Sequence, residues 1–200
     1  QGQILIAGGT PIYVPKINST YTWAASEVST KQALVFDPAT ETITEVGELA
    51  YPRYGHVAVE NYLGEIIIIG GFNDQASAFT QAYAEVFDPE DGAFHQISGL
   101  LSTGTAHHAA ARLGEQGVMI CGGVNYHAET ATECAIISAD RNTSTLSFPG
   151  RPTLAPAMVT MADERILFTG GLDMTDETFD LFGTEVEATR EAWIFQSGAW

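Results

Sequence analysis

Four short apolar runs that each end in two adjacent glycines constrain the fold of this chain more than any other feature. The runs are Ile4–Ala7, Ile66–Ile69, Val118–Cys121 and Ile166–Thr169. The second glycines stand at positions 9, 71, 123 and 171, so the intervals are 62, 52 and 48 residues. Glycine lets a chain leave a strand with positive φ and lets neighbouring units pack closely. A repeat of this length predicts an array of similar supersecondary units.

Other signals keep step with the glycine pairs and give each unit four strands. An apolar pattern follows each pair and runs into an Asp-Pro turn in two units, at Phe36-Asp37-Pro38 and Phe87-Asp88-Pro89. A further strand, such as Arg53–Val59, precedes the glycine-pair strand as one arm of a hairpin. Four antiparallel strands in a period of about 50 residues predict an all-β propeller within one domain, 1–200. The units are expected over 3–50, which is incomplete, and over 52–98, 105–149 and 155–200.

The sequence resembles the kelch-repeat family over nearly its whole length. The segment Pro52-Arg53-Tyr54-Gly55-His56, the pair Gly70-Gly71 and the turn Phe87-Asp88-Pro89 match best. Gly-Glu and Asp-Glu turns make it most like bacterial secreted kelch proteins. It departs from the pattern where Ile43 and Leu146 replace an aromatic residue. Because kelch propellers usually have six or seven blades, the resemblance implies an open piece of a longer propeller, whose remainder is an expected partner.

Charge and hydropathy exclude two classes of partner. The chain has 25 acidic and 8 basic residues, for a formal net charge of −17, which repels phosphate backbones and disfavours nucleic acid. No apolar run approaches the roughly 20 residues of a membrane-spanning helix. We therefore expect neither a nucleic-acid partner nor a membrane span.

The five histidines raise a zinc hypothesis that the repeat disfavours. His56 and His108 each stand 14 residues before the first glycine of their pair, so packing near the central channel explains both. His107 and His108 are adjacent and point to opposite faces of a strand, so they cannot bind one ion without a bulge. The other histidines are His95 and His127. No metal or cofactor is predicted here.

The loop Asp173–Asp180 contains four acidic residues after the last glycine pair. Oxygen clusters of this kind can hold calcium, but the spacing lacks the glycine and the terminal glutamate of an EF-hand loop. A solvated loop is the favoured interpretation.

The two cysteines fall at the facing ends of two strands in the third unit. Cys121 ends the second strand and Cys134 begins the third, and a register that places them opposite each other also pairs Met119 with Ile136. This register predicts a cross-strand disulfide, with two free buried thiols as the alternative. A disulfide implies an oxidising compartment, so we expect an extracellular, cell-surface or periplasmic protein.

No catalytic pattern is recognisable, so we expect a protein that is not an enzyme. The predicted function is recognition of a protein or a glycan through the loops between second and third strands, because loops tolerate change. The longest of these, Thr10–Lys31, contains Tyr13, Tyr21 and Trp23, which can supply contact area or pack on a neighbouring blade. Two alternatives stay open. One is an enzyme using the central channel, as galactose oxidase and the sialic acid epimerases are within the kelch family; the other is a structural module of a larger surface protein.

Overall fold

The computed structural model describes residues 2–10, 29–73, 82–97, 105–125, 129–151, 153–173 and 188–196. Within these ranges the chain consists of strands, turns and one 3-10 helix, Gly114–Gln116. No helix in the described ranges is long and apolar enough to cross a membrane. The predicted all-β class is confirmed.

Each of the first three sheets is formed by strands that follow one another along the chain. The first sheet contains β1 (Ile4–Ala7), β2 (Gln32–Asp37) and β3 (Thr42–Glu48). The second contains β4 (Val57–Glu60), β5 (Ile66–Ile69), β6 (Ala84–Asp88) and β7 (Ala93–Ile97). The third contains β8 (Ala109–Arg112), β9 (Val118–Cys121), β10 (Glu133–Ile137) and β11 (Thr143–Ser147). Further on, β12 (Thr153–Leu154) pairs with β15 (Leu172–Asp173), and the fourth sheet contains β13 (Ala157–Thr160), β14 (Ile166–Thr169) and β16 (Ala192–Phe195).

The second and third sheets have the four antiparallel strands that the repeat predicts, and the architecture is consistent with a β-propeller-like fold. The first strand of the second unit is shorter than expected, because Gly55 has φ 63° and the extended conformation begins only at Val57. The expected last strand of the fourth unit falls on residues 197–200, outside the described ranges.

Two apolar clusters fill the space between neighbouring sheets. In the first, Ile67 and Ile69 of β5 pack with Val118 and Ile120 of β9. Because adjacent strand residues point to opposite faces, β9 uses its other two residues, Met119 and Cys121, in the second cluster. That cluster also contains Ile166, Phe168 and Phe195 of the fourth sheet. Each sheet thus has a forward face, toward the next sheet along the chain, and a rear face, toward the preceding one.

The outermost faces of this array are apolar and exposed. On the rear face of the first sheet, Ile4 is 52% exposed and Ile43 is 62% exposed. On the forward face of the fourth sheet, Val159 is 54% exposed and Ile194 is 43% exposed. In the second and third sheets, the residues that correspond to these four positions face a neighbouring sheet and pack against it.

Cys121 and Cys134 form a disulfide with a Cα–Cα distance of 4.3 Å. Met119 lies opposite Ile136, so both the disulfide and its predicted register are confirmed. The bridge lies on the forward face of the third sheet, within the second cluster.

Candidate binding surface

The glycine pairs lie where one sheet meets the next. The N–H of Gly71 donates to the carbonyl of Thr105 at 2.9 Å, and Gly9 and Gly123 donate in the same way to the next unit. A Cβ on Gly70 would lie 2.3 Å from the Thr105 carbonyl oxygen, and Gly70 has φ +61°. The predicted structural role of the pairs, a left-handed backbone and close approach of neighbouring units, is therefore observed at this junction.

His56 and His108 occupy equivalent places against the first glycines. The Cε1 atom of His56 lies 3.0 Å from a Cβ built on Gly8, and that of His108 lies 2.7 Å from one built on Gly70. Burial is the main cause that lowers the pKa of each histidine to about 4, and the Arg53 guanidinium adds to the shift at His56. Both rings are therefore neutral at pH 7 and act as packing groups between sheets. The described part of the chain contains no group of three or more metal-ligating side chains.

A buried ion pair lies in the second unit beside His56 and contacts the end of the first unit at Ala50. Arg53 and Glu85 are almost completely inaccessible to solvent, and the Arg53 Nη2 donates to Glu85 Oε1. The Arg53 Nη1 also donates to the carbonyls of Gly70 at 2.9 Å and Tyr83 at 3.3 Å. The other oxygen of Glu85 accepts from the Ala50 N–H at 2.7 Å. No sequence pattern pointed to Glu85, because a contact across 32 residues leaves no local signal.

Five rings beside the strand ends of the second sheet make up what we call the aromatic surface: Tyr51, Tyr54, Phe72, Tyr83 and His107. Tyr51 and Tyr54 precede β4, Phe72 follows β5, and Tyr83 precedes β6. Since these strands are antiparallel, all four positions lie at one end of the second sheet. His107 joins them from the next unit, where its N–H donates to the carbonyl of Gly55 at 3.0 Å.

The rings are arranged in two groups. Tyr51 and Tyr83 stack with centroids 5.8 Å apart, and they are 39% and 37% exposed. Phe72 lies 5.4 Å from Tyr54 and 5.4 Å from His107, measured between ring centroids. Partial burial lowers the pKa of His107, so this exposed ring is mainly neutral at pH 7. The surface therefore offers partly exposed rings, and the buried ion pair contacts the backbone at Tyr83 and at Ala50, next to Tyr51.

The residues that the sequence singled out for binding, Tyr13, Tyr21 and Trp23, lie outside the described residues, as does His127. Of the acidic loop, only Asp173 is described, and its carboxylate accepts from Arg151 Nη1 at 2.7 Å. Residues 174–180 lie outside the described ranges. The sequence does contain a signal for the aromatic surface, because Tyr51 and Tyr54 stand on both sides of Arg53 at the start of a predicted strand.

No protein-family model matches this chain, and no curated protein matches it. Among solved structures, that of YjhT is similar, with a TM-score of 0.74 and 12% sequence identity. The similarity covers 98% of this chain and 66% of that chain, so this chain spans slightly less than two thirds of YjhT. At such low identity the similarity carries no information on activity. It shows that this chain shares its fold with a large part of YjhT.

Proposed function

We propose that this chain is a kelch-type propeller segment that binds a protein or a glycan and does not catalyse a reaction. The observation that carries the proposal is the aromatic surface at the loop end of the second sheet. Its ligand contacts Tyr51, Tyr83 and His107 directly, and the neighbouring loops between second and third strands complete the contact. The loop Thr10–Lys31, with Tyr13, Tyr21 and Trp23, remains a candidate for that role.

Physical chemistry supports aromatic rings as the contact groups. Tyrosine supplies a large apolar face together with a hydroxyl group, and ordering its two side-chain torsions costs little entropy. Aromatic residues are enriched among those that dominate binding energy. Arg53 contacts the carbonyl of Tyr83, and its partner Glu85 contacts the N–H of Ala50, next to Tyr51. The ion pair thus holds the backbone under both stacked rings before a ligand arrives, which lowers the cost of binding.

Charge limits the kind of ligand. With a net charge of −17, the chain repels polyanions, so a neutral or cationic ligand surface is favoured over nucleic acid or anionic lipid. The disulfide supports a location outside the cell, on its surface or in the periplasm.

We also infer that the four sheets belong to a larger propeller. The rear face of the first sheet and the forward face of the fourth expose Ile4, Ile43, Val159 and Ile194 at places that are packed between the inner sheets. The chain aligns with only 66% of YjhT, which leaves room for further sheets in a fold of that kind. Such sheets would bury both end faces.

The binding proposal is tested on a glycan array and on an array of purified extracellular proteins. Tyr51→Ala/Tyr83→Ala is compared with the wild type and with Tyr62→Ala, which removes a tyrosine that is 41% exposed in the β4–β5 turn at the opposite end. We expect at least one ligand whose affinity falls more than tenfold in the double variant and is unchanged in the control. Absence of any ligand, or equal loss in both variants, would contradict the proposal.

The same experiment separates binding from catalysis. Any glycan captured by the wild type is incubated with it and analysed by mass spectrometry and by NMR, which also detects epimers of equal mass. We expect the glycan to be recovered unchanged. Conversion at a rate proportional to protein concentration would favour the enzyme alternative.

A further inference from the structure

The second and third sheets differ at one pair of buried positions. Arg53 and Glu85 form the ion pair of the second unit, and the same places in the third unit hold Thr105 and Ala135. The carbonyls of Arg53 and Thr105 each accept from the second glycine of the preceding unit. Glu85 and Ala135 each lie opposite the residue two places before the first glycine of their own unit. The two pairs of positions are therefore structurally equivalent.

A cavity of about 130 Å³ lies at these positions in the third unit. Thr105 and Ala135 line it, together with Thr145 of β11, and their side chains are much smaller than those of an arginine and a glutamate. Glu129 and Glu133 also line the cavity and are exposed, so it opens to solvent beside them. A water occupies about 30 Å³ in the liquid, so the cavity has room for a group of several heavy atoms.

The neighbouring units have side chains at the place where the third unit has this space. In the second unit the charged pair occupies it. In the fourth unit Trp193 stands opposite Phe168, at the position that corresponds to Ala135, and packs against the second apolar cluster. The cavity is thus a local difference between similar units, at a place where the fold accepts a large side chain.

The second unit shows which chemical group fits this place. The guanidinium of Arg53 donates there to the carbonyls of Gly70 and Tyr83 and to a carboxylate. The corresponding carbonyls in the third unit belong to Gly122 and Glu133. The third unit therefore keeps the same main-chain acceptor positions but has no arginine side chain of its own at Thr105.

The lining of the cavity suits a positively charged donor group. Of the lining residues that the structure describes, only Glu129 and Glu133 carry a charge, and both are acidic. The amide of Asn125 donates to Glu129 at 2.8 Å and orients that carboxylate beside the cavity. A hydroxyl oxygen has two lone pairs, so Thr105 can contact His108 Nδ1, at 3.3 Å, and also accept from a ligand. A guanidinium is planar, permanently charged and rich in donors, which matches this set of acceptors.

We propose that this cavity binds a guanidinium group, which takes the place that the Arg53 guanidinium fills in the second unit. An arginine side chain of a protein ligand and a free guanidinium compound share this chemistry. The net charge of −17 attracts either of them to the surface. The site is in the third unit and does not depend on the aromatic surface of the second.

The test titrates the isotope-labelled intact chain with three probes and follows the backbone amides by NMR. The first probe is a capped Gly-Gly-Arg-Gly-Gly peptide. The second is the same peptide with citrulline, which keeps the shape of arginine but is uncharged. The third is arginine with both ends capped, which separates the two sources of the group: tighter binding of the peptide indicates a protein ligand, and equal affinity indicates a free compound.

We expect the arginine peptide to shift the amides of Thr105, Ala135 and Thr145 in a saturable way. The citrulline peptide should bind more than about tenfold more weakly, because its hydrogen bonds are not assisted by charge. The proposal is overturned by absence of saturable shifts, by equal affinity for the two peptides, or by shifts confined to other parts of the protein.

Two changes in the protein test the same site. Glu133→Gln should weaken binding of the arginine peptide about threefold, as expected for an exposed ion pair. Glu115→Gln is the matched control, because it removes the same charge from an exposed residue in the β8–β9 turn at the opposite end of the sheet. Thr105→Arg/Ala135→Glu rebuilds the charged pair of the second unit inside the cavity and should abolish binding. Retained binding in that double variant would overturn the proposal, and the peptide comparison decides the matter if the variant does not fold.

This experiment and the array experiment can fail separately. The arrays compare variants of Tyr51 and Tyr83, neither of which lines the cavity. Loss of discrimination between arginine and citrulline would therefore refute the guanidinium site and leave the aromatic surface untouched.

Discussion

Replacing Glu85 with glutamine should destabilise the protein far more than a comparable change on its surface. Arg53 is 0% exposed and its guanidinium donates to Glu85, so Glu85→Gln removes the counter-charge but keeps a side chain of the same shape. Burial lowers the pKa of Arg53 and Glu85 opposes this shift, but an arginine does not lose its proton at neutral pH. The variant therefore contains a buried, uncompensated positive charge.

The magnitude follows from the burial. Removing one partner of a buried ion pair costs about 3–5 kcal/mol, which is a large part of the roughly 5–15 kcal/mol that stabilises a typical domain. The surface pair Lys31–Glu48 is the matched control, because its side chains are 48% and 54% exposed. Glu48→Gln should cost less than about 1 kcal/mol.

Urea unfolding, followed by circular dichroism, measures both variants. We expect the urea midpoint of Glu85→Gln to fall sharply at an unchanged m-value, with little change for Glu48→Gln. The double variant Arg53→Met/Glu85→Met should be less destabilised than the sum of the single changes, because it leaves no unpaired charge. A cost for Glu85→Gln no greater than that of Glu48→Gln would refute this account of the junction.

Three further predictions concern the junctions and the core. The pKa of His108 is about 4 in the folded state against 6.5 in the reference state, so the unfolded state binds the proton more tightly. Protonation of His108 should therefore lower the free energy of unfolding by up to about 3 kcal/mol as the pH drops from 7 to 4. The decrease should be smaller in His108→Gln. Urea titrations at several pH values measure both. Replacing Cys121 and Cys134 with serine should cost about 3 kcal/mol and lower the melting temperature measured by calorimetry, whereas an unchanged melting temperature would contradict the bridge. Gly70→Ala should destabilise more than Gly64→Ala in thermal unfolding, because both glycines have positive φ but only the Cβ at Gly70 meets a carbonyl oxygen, at 2.3 Å.

The strands and the disulfide could be predicted because their signals are local. A strand alternates with a period of two residues, and a glycine pair marks the place where a Cβ would obstruct the chain. The register between β9 and β10 then placed Cys121 opposite Cys134, since a hairpin relates its two strands by simple counting. These features depend on residues within one unit, and a single sequence contains all the information that they need.

The long-range contacts at the strand ends were decided only by the tertiary structure. Glu85 meets Arg53, and Tyr83 stacks on Tyr51, across 32 residues in each case, because antiparallel pairing brings the ends of different strands to one end of the second sheet. Alternation does not say which face of a sheet meets its neighbour, nor how closely the sheets approach. The sequence predicted a binding role for aromatic residues in the loop Thr10–Lys31, and those residues lie outside the described ranges. The tertiary structure adds rings beside the strand ends of the second sheet, where a buried charge pair contacts the backbone at Ala50 and Tyr83.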